Sequence, residues 1–394
     1  MASAQAGRPG QAGPRPLRVA VVITRLEGGA GLHALRGALC LNPDDYAVTL
    51  ITGSGERLLG EAADAGLDTV VEPSLRTPLS PLDDVRSLHR LGGVFREVGF
   101  DVVHTHTAKA GAVGRLAARR AGVPRIVHTY HGFPFHDFQA AARRQMYVQI
   151  ERYLGQFTDL AMCVGSGVAV EAVRRELIPP HRVTTIGVVA DGADPLVAGK
   201  SAPTPADRGR ARAALGLPPG GTVVGMVGRL TYQKAPQDFL AALEALGRPE
   251  VTGVWVGDGE LAGEVRRLAD KKAGVRLVLA GERADVSSLL PAFDVFALPS
   301  RYEGLPTVVV EAMACGVPVV ATAVNAVADV VIPGETGLLV PPARPERMAE
   351  AIGFLLDSPA DAARMAAAAR SRLGDRFGEP ALRRALIAGY AGQH

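Results

Sequence analysis

Short apolar runs alternate with amphipathic segments along almost the whole chain, and most runs end at a turn marked by Gly or Pro. Leu17 to Ile23 is a β-branched run of the kind buried on both faces of a parallel sheet. Further strands are expected at 46–52, 67–71, 101–106, 125–129 and 160–164, with helices at 33–41, 81–98, 111–121 and 138–155. Asp, Gly, Pro and Ala then follow in close succession over 188–205, which reads as a linker. A second series begins at Thr222, with strands near 222–230, 253–256, 275–280, 295–298 and 337–340. Its helices are expected at 235–246, 261–271, 306–316, 345–356 and 361–373, with a short one at 325–331 and a terminal one near 380–390. The alternation predicts an α/β fold of two doubly wound, Rossmann-like halves in tandem, their strand carboxyl ends facing a shared cleft.

Composition narrows the class. The 394 residues are 47% hydrophobic and 21% charged, with net charge +3 and a pI near 8.8, too mildly basic to suggest nucleic acid as a partner. The three cysteines, Cys40, Cys163 and Cys315, are far apart, which suggests neither zinc nor a disulfide framework and fits a reducing cytosol. Residues 1–16, rich in Gly, Ala and Pro, lack the apolar centre of a signal peptide and read as a disordered tail. No run approaches the ~18 apolar residues of a membrane span. Between 101 and 160, eight Lys and Arg stand against four Asp and Glu. That excess reads either as a solvated helix face or as a contact with an anionic acceptor or the membrane surface.

Candidate chemistry gathers at the strand ends. Pro299 to Leu305 is a loop after an apolar strand; Pro306 suits the first position of a helix and Gly316 its end. A helix starting there offers free N–H groups to an anion. Glu303 in the loop, facing the crevice, and Glu311 on the helix make a plausible clamp for two polyols, though each also reads as a surface glutamate. Arg229 and Lys234 lie on one strand-to-helix turn, a planar fork and a point charge suited to phosphate. Gly28 to Gly31 lets backbone approach a ligand after the first strand, but it is not a dinucleotide fingerprint. Five of the nine histidines fall between His104 and His136, which suggests a polar cleft wall. His104 and His106 share one side of a strand, half a metal site without a third ligand at sensible spacing.

With these residues in order, the sequence resembles the retaining glycosyltransferases of family 4, which have the GT-B fold. The matches are Gly28-Gly29-Ala30 with His33, the stretch 101–132, Gly228-Arg229-Leu230 with Lys234, and the Glu303-to-Glu311 element in its Glu-Gly-Leu-Pro form. Where the family usually has Gly after the lysine, Ala235-Pro236 stand here. The resemblance implies an acceptor-side domain at 17–198, a donor-binding domain at 199–374, and a segment at 375–394 whose helix crosses back to the first domain. It implies that Arg229 and Lys234 hold the donor diphosphate, Glu303 contacts the donor sugar, Glu311 binds the ribose and His131 faces the reacting centre. Gly28, Gly29, Gly304, Leu305 and Thr307 would line the donor site, and the turn at Arg283 would sit against the nucleobase. His104, His106, Lys109 and His136 would fall on the acceptor side.

The implied reaction transfers a sugar from a nucleotide diphosphate donor to a hydroxyl with retention, in assembly of cell-envelope polysaccharide or glycolipid. UDP-sugars are favoured over GDP-mannose as donor. The acceptor is a lipid carrier, a polysaccharide or a small metabolite, and the site is cytoplasmic, with peripheral contact to the inner membrane as a possible addition. No cofactor and no required metal are expected, since there is no Asp-x-Asp. A secondary-metabolite glycosyltransferase, a non-hydrolysing sugar-nucleotide epimerase and an inactive sugar-nucleotide-binding module are the alternatives. The double displacement of retaining glycosidases is the competing mechanism.

Overall fold

The computed structural model describes residues 15–76, 80–189 and 203–393, without the side chains of residues 375 and 376. Most of the tail expected at 1–16 and of the linker expected at 188–205 lies outside the described residues.

The first half runs β1 (Leu17–Ile23), α1 (Gly28–Leu39), β2 (Tyr46–Thr52), α2 (Glu56–Asp64), β3 (Asp68–Val71), α3 (Pro81–Val98), β4 (Val102–His106) and α4 (Ala108–Ala121). It continues with β5 (Arg125–Tyr130), α5 (Ala141–Gly155), β6 (Leu160–Cys163), α6 (Ser166–Arg174) and β7 (Val183–Thr185). The second half runs α7 (Pro205–Ala214), β8 (Thr222–Val227), α8 (Pro236–Leu246), β9 (Val251–Val256), α9 (Ala262–Asp270), β10 (Arg276–Leu279), α10 (Val286–Leu289) and β11 (Val295–Leu298). It ends with α11 (Thr307–Ala314), β12 (Val319–Thr322), β13 (Leu338–Val340), α12 (Pro345–Asp357), α13 (Pro359–Leu373) and α14 (Glu379–Ala391).

All strand pairs are parallel, in the orders β3-β2-β1-β4-β5-β6-β7 and β10-β9-β8-β11-β12-β13. Each order reverses direction once, at β1/β4 and at β8/β11, and in open α/β sheets ligands bind outside the carboxyl ends of the strands at such a switch point. The strands are apolar throughout because helices cover both faces: Val19 to Ile23 and Val295 to Leu298 are all buried.

Several helix starts differ from the sequence expectation. α1 begins at Gly28, not at 33, because Gly28 adopts φ 61° and turns the chain into the helix directly after extended Glu27. Pro306 caps α11 from outside with ψ 116°, so the helix proper starts at Thr307. α5 starts at Ala141 after a turn through 134–140, not at 138. α2, α6 and α7 were not expected; α7 is set by a capping box between Thr204 and Asp207 at the end of the stretch read as linker.

α14 returns to the first half. Leu382, Leu386 and Tyr390 lie in the same apolar core as β1 and α1, each side chain contributing about 1.5–3 kcal/mol of burial. Gly389 lies against Met162 and Leu160 so closely that a Cβ there would come within 2.2 Å of the methionine, and its carbonyl accepts from Arg125 Nε at 2.6 Å.

Candidate functional site

Two loops of the second half carry the main charges. The β8–α8 loop holds Arg229 and Lys234, and the β11–α11 loop holds Glu303. They are fastened together at Arg301, whose guanidinium donates to the Tyr232 carbonyl at 2.8 Å, pairs with Asp238 at 3.0 Å and lies 4.4 Å over the Tyr232 ring. Its backbone N–H donates to the Gln233 carbonyl at 2.8 Å. On that frame Lys234 Nζ pairs with the Glu303 carboxylate, and Gln233 Nε2 donates to the Tyr302 carbonyl at 3.0 Å and to Glu303 Oε2 at 3.3 Å.

Glu303 is only 6% exposed, so it does not project freely into the crevice as expected; the lysine draws it inward. Ala235 takes φ 51° at the start of α8. That left-handed conformation is the one glycine adopts freely, and an alanine there carries roughly 1–2 kcal/mol of strain immediately beside Lys234. Arg229 is exposed, and no carboxylate among the described residues pairs with it. Its charge still reaches Tyr302, where burial and nearby Glu303 raise the phenol pKa and Arg229 opposes them. Glu311 lies on α11, 9% exposed.

The first half closes against these loops through glycines. A Cβ on Gly29, at the start of α1, would meet Thr307 Oγ1 at 3.0 Å, so the N-termini of α1 and α11 face each other across the seam. A Cβ on Gly304 would lie 1.8 Å from the His131 carbonyl oxygen, and one on Gly132 would meet the Gly304 nitrogen at 3.4 Å. Farther along the seam, the backbone N–H and hydroxyl of Ser166, at the start of α6, both donate to the Asp329 carboxylate. Gly165 and Gly167 allow the close approach to Ala326 and Asn325 there. Asn325, at φ 42°, reaches back to donate to the Glu303 carbonyl. The same short 3-10 segment, Asn325–Asp329, therefore holds both the opposite half and the loop that carries Glu303.

Five of the histidines fall into three groups. His131 Nε2 and His106 Nδ1 are 2.9 Å apart, and the His33 ring packs edge-on against His131 with centroids 5.2 Å apart. His104 is buried and satisfied at both nitrogens, by Tyr390 Oη at 2.8 Å and Thr129 Oγ1 at 2.7 Å. His128 points to the opposite sheet face, bonded to Thr105 Oγ1 at 2.8 Å. The expectation that all five histidines of 104–136 form a cleft wall is therefore corrected: α14 covers His104, and His128 is paired in register with Thr105, so strand alternation puts it on the face opposite His104 and His106.

Burial lowers the pKa of His33 to about 4 and that of His104 to about 3, with the His33 imidazole adding to the effect at His104. These groups stay neutral in the native protein while the unfolded chain protonates near 6.5, so stability is full above pH 6.5 and falls as pH drops toward 4. For His33 alone the loss at pH 5 is on the order of 2 kcal/mol. Thermal midpoints measured at pH 7.5, 6.5 and 5.5 should descend, and His33→Gln should flatten the descent. A parallel descent in the variant would refute the assignment.

The structure thus brings Lys234, Glu303, Gly304, Thr307, Gly29, Gly28 and His131 to one seam, with Leu305 buried beside them. It does not bring Arg283, whose guanidinium holds Asp285 at 2.7 Å and the Ala214 carbonyl at 3.2 Å. Lys109 is paired with Asp84 of α3, and His136 stacks on Tyr302 with centroids 3.9 Å apart. Sequence reasoning missed Gln233, Arg301, Asn325, Asp329 and Ser166. Gln233 and Arg301 had a signal, since Gln233 adjoins Lys234 and Arg301 stands two positions before Glu303; Asn325 and Asp329 had none, because their role depends on a contact with the other half. Among the described residues no group of three or more His, Cys, Asp or Glu is placed to hold a metal ion.

Comparison with known proteins places both halves. Residues 27–188 match the family described as Glycosyltransferase Family 4, and residues 207–372 match Glycosyl transferases group 1. The chain is 30% identical over 400 residues to the D-inositol 3-phosphate glycosyltransferase of Rhodococcus erythropolis, covering 90% of this chain and 87% of that enzyme. It is 33% identical over 259 residues to the UDP-Gal:alpha-D-GlcNAc-diphosphoundecaprenol alpha-1,3-galactosyltransferase of Escherichia coli, covering 64% of this chain and 65% of that enzyme, just under two thirds of its length. Among solved structures, HepE of Anabaena in complex with UDP-glucose superposes with a TM-score of 0.80 at 21% identity, covering 95% of this chain and all of that one. Sucrose-phosphate synthase of Thermosynechococcus elongatus gives 0.78 at 23% identity, over 95% and 98%.

Proposed function

We propose, for a chain that belongs to the glycosyl transferases of family 4 and group 1, that it carries a sugar from a UDP-sugar to a hydroxyl acceptor in cell-envelope polysaccharide or glycolipid assembly, with retention of the anomeric configuration. The observation that carries this reading is the Lys234–Glu303 pair set beside the N-terminus of α11, where a diphosphate would meet a cation and free backbone N–H groups together. Cleavage of the bond from sugar carbon to phosphate oxygen builds negative charge on the diphosphate, and a preorganised cation with a helix N-terminus stabilises that charge without reorganising. Arg229, exposed and paired with no carboxylate among the described residues, supplies the second cation, and Glu311 on α11 takes the ribose hydroxyls. The leaving group is then neutralised by side chains, and no metal is required.

Glu303 positions rather than attacks. Its carboxylate is engaged by Lys234 and Gln233, which leaves it a poor nucleophile for a double displacement. The acceptor hydroxyl attacks from the face the diphosphate leaves and gives its proton to a phosphate oxygen. UDP is favoured by the name of one relative and the bound ligand of one structural neighbour: the E. coli enzyme is named for UDP-Gal, and HepE was solved in complex with UDP-glucose. A cytoplasmic site of action is supported by the free thiols of Cys40, Cys163 and Cys315. No helix among the described residues is long and apolar enough to cross a membrane.

Thermal-shift screening against a panel of UDP- and GDP-sugars should single out one UDP-sugar. At 100 times its dissociation constant the ligand stabilises by about 2.7 kcal/mol. The same donor should be hydrolysed slowly without acceptor, to a sugar of retained configuration, at a rate unchanged by EDTA. An inverted product, or interconversion to an epimeric nucleotide sugar, would overturn this reading.

A further inference from the structure

Three imidazoles meet where the first half touches the loop that carries Glu303. His131, just past β5, is half-buried, and its carbonyl lies against Gly304. His33 on α1 and His106 at the end of β4 are each only 2% exposed. His106 Nδ1 stands 2.9 Å from His131 Nε2, the two ring planes inclined by 30°. His33 packs edge-on against the same ring at 80°, and its own Nδ1 is buried without a partner. Two other nearby imidazoles do not compete for His131. His104 is bonded at both nitrogens, and His128 bonds Thr105 on the opposite face of the sheet.

Two ring nitrogens at hydrogen-bond distance need one proton between them, so one ring donates and the other accepts. Burial, with neighbouring imidazoles adding to it, holds the pKa of His106 and of His131 well below the ordinary histidine range, and each ring therefore carries a single N–H. Two arrangements satisfy the contact. If His106 donates, both rings carry their proton on Nδ1. If His131 donates, both carry it on Nε2, the intrinsically preferred form of a neutral histidine side chain. The second arrangement also leaves a lone pair on His131 Nδ1. Breaking the bond from sugar carbon to phosphate oxygen leaves positive charge on the sugar, and the negative end of a fixed dipole stabilises that charge.

We propose that His106 is a positioning residue that accepts from His131 Nε2 and so fixes His131 in its Nε2–H form, with Nδ1 kept as an acceptor for a substrate hydroxyl. The assignment rests on the donor reading above. The partner of one imidazole nitrogen decides what the other can do, and His106 is the partner that the structure gives to His131. His33 sets the plane of the ring by packing against it. Without the acceptor at 106, His131 would exchange between its two neutral forms and present an N–H at Nδ1 for part of the time.

The test uses the full chain with its histidines labelled with nitrogen-15. Long-range proton–nitrogen correlation spectra report which ring nitrogen carries the proton, with signals assigned from the His106→Asn and His131→Asn proteins. In the unsubstituted protein His131 should show Nε2 protonated and Nδ1 bare; a protonated Nδ1 overturns the proposal without recourse to any variant. His106→Leu removes the acceptor and should mix the two forms of His131. It should lower kcat for hydrolysis of the UDP-sugar donor about 10-fold, with its KM and the affinity for UDP unchanged. His106→Asn, whose side-chain oxygen falls near the place of Nδ1, should restore the single form and return kcat to within about 2-fold of the parent. No loss in His106→Leu, or equal losses in His106→Leu and His106→Asn, would make residue 106 a matter of packing and overturn the proposal. A fall in UDP affinity that matches the fall in rate would overturn it as well. Failure of the unsubstituted protein to bind UDP overturns the donor reading, and this assignment with it.

Discussion

Lys234→Ala should reduce transfer by about 10³-fold, the loss expected when a preorganised charge is taken from a developing anion. The pair it breaks is largely desolvated, the lysine side chain being 16% exposed and the glutamate 6%. Removing one member leaves the other charge uncompensated, and about 3 kcal/mol of folding stability should go with it. That second effect confounds the first, so two further proteins are needed. Lys234→Ala combined with Glu303→Gln removes both charges, and Gln233 Nε2 can still donate to the amide oxygen in place of Oε2. The double variant should regain most of the lost thermal midpoint and none of the activity. UDP affinity should fall in both proteins that lack the lysine and persist in Glu303→Gln alone. Recovery of activity along with stability would mean that the lysine merely holds the loop, and a Lys234→Ala protein that turns over at the parent rate would end the proposed phosphate role.

What the sequence discloses and what it hides follow from the range of the interactions involved. Parallel strands buried on both faces must be apolar runs, so β1, β8 and β11 were legible from composition alone. Helix ends marked by Pro and Gly were nearly as clear: Pro81 starts α3, and Gly99 ends it at φ 67°. β7 escaped because it is three residues, two of them polar, recruited as an edge by β6. α6 escaped because its Val-rich first turns read as strand or loop, while its start is fixed by Asp329 from the other half. The charges of the site were visible because Arg, Lys and Glu at strand ends seldom serve packing. Their pairing was not, because Lys234 meets Glu303 at a sequence separation of 69 and Ser166 meets Asp329 at a separation of 163. The histidines show the same limit from the other direction. That His104 and His106 share a side follows from strand alternation, and their rings are 4.3 Å apart. That His104 is sealed from any cleft follows only from Tyr390, which arrives from the far end of the chain.

Gly304→Ala should lower the transfer rate by about 10²-fold while leaving UDP affinity nearly intact. The added methyl would stand 1.8 Å from the His131 carbonyl oxygen and 2.6 Å from its carbon, both backbone atoms that no rotamer change can move. Relief requires the two loops to part by more than about 1 Å, and a displacement of that size at a reacting centre carries a penalty of this order. The parting would not be local. Thr307 is already at contact distance from Gly29, and Asn325 ties the Glu303 carbonyl to the segment that clasps Ser166, so the whole seam must open to release one contact. The charged groups expected to hold the donor all lie in the second half and travel with it, which is why binding and turnover should separate. Gly60→Ala is the matched control: it lies in α2 with nothing within 4 Å of an added Cβ, and should leave rate and affinity unchanged with a slight gain in stability. Single-turnover transfer and UDP titration on the same preparations distinguish the outcomes. If Gly304→Ala lowers UDP affinity and rate equally, the loop shapes the donor pocket rather than the approach of the two halves. If neither changes, the closed seam seen here is not the arrangement in which sugar is transferred.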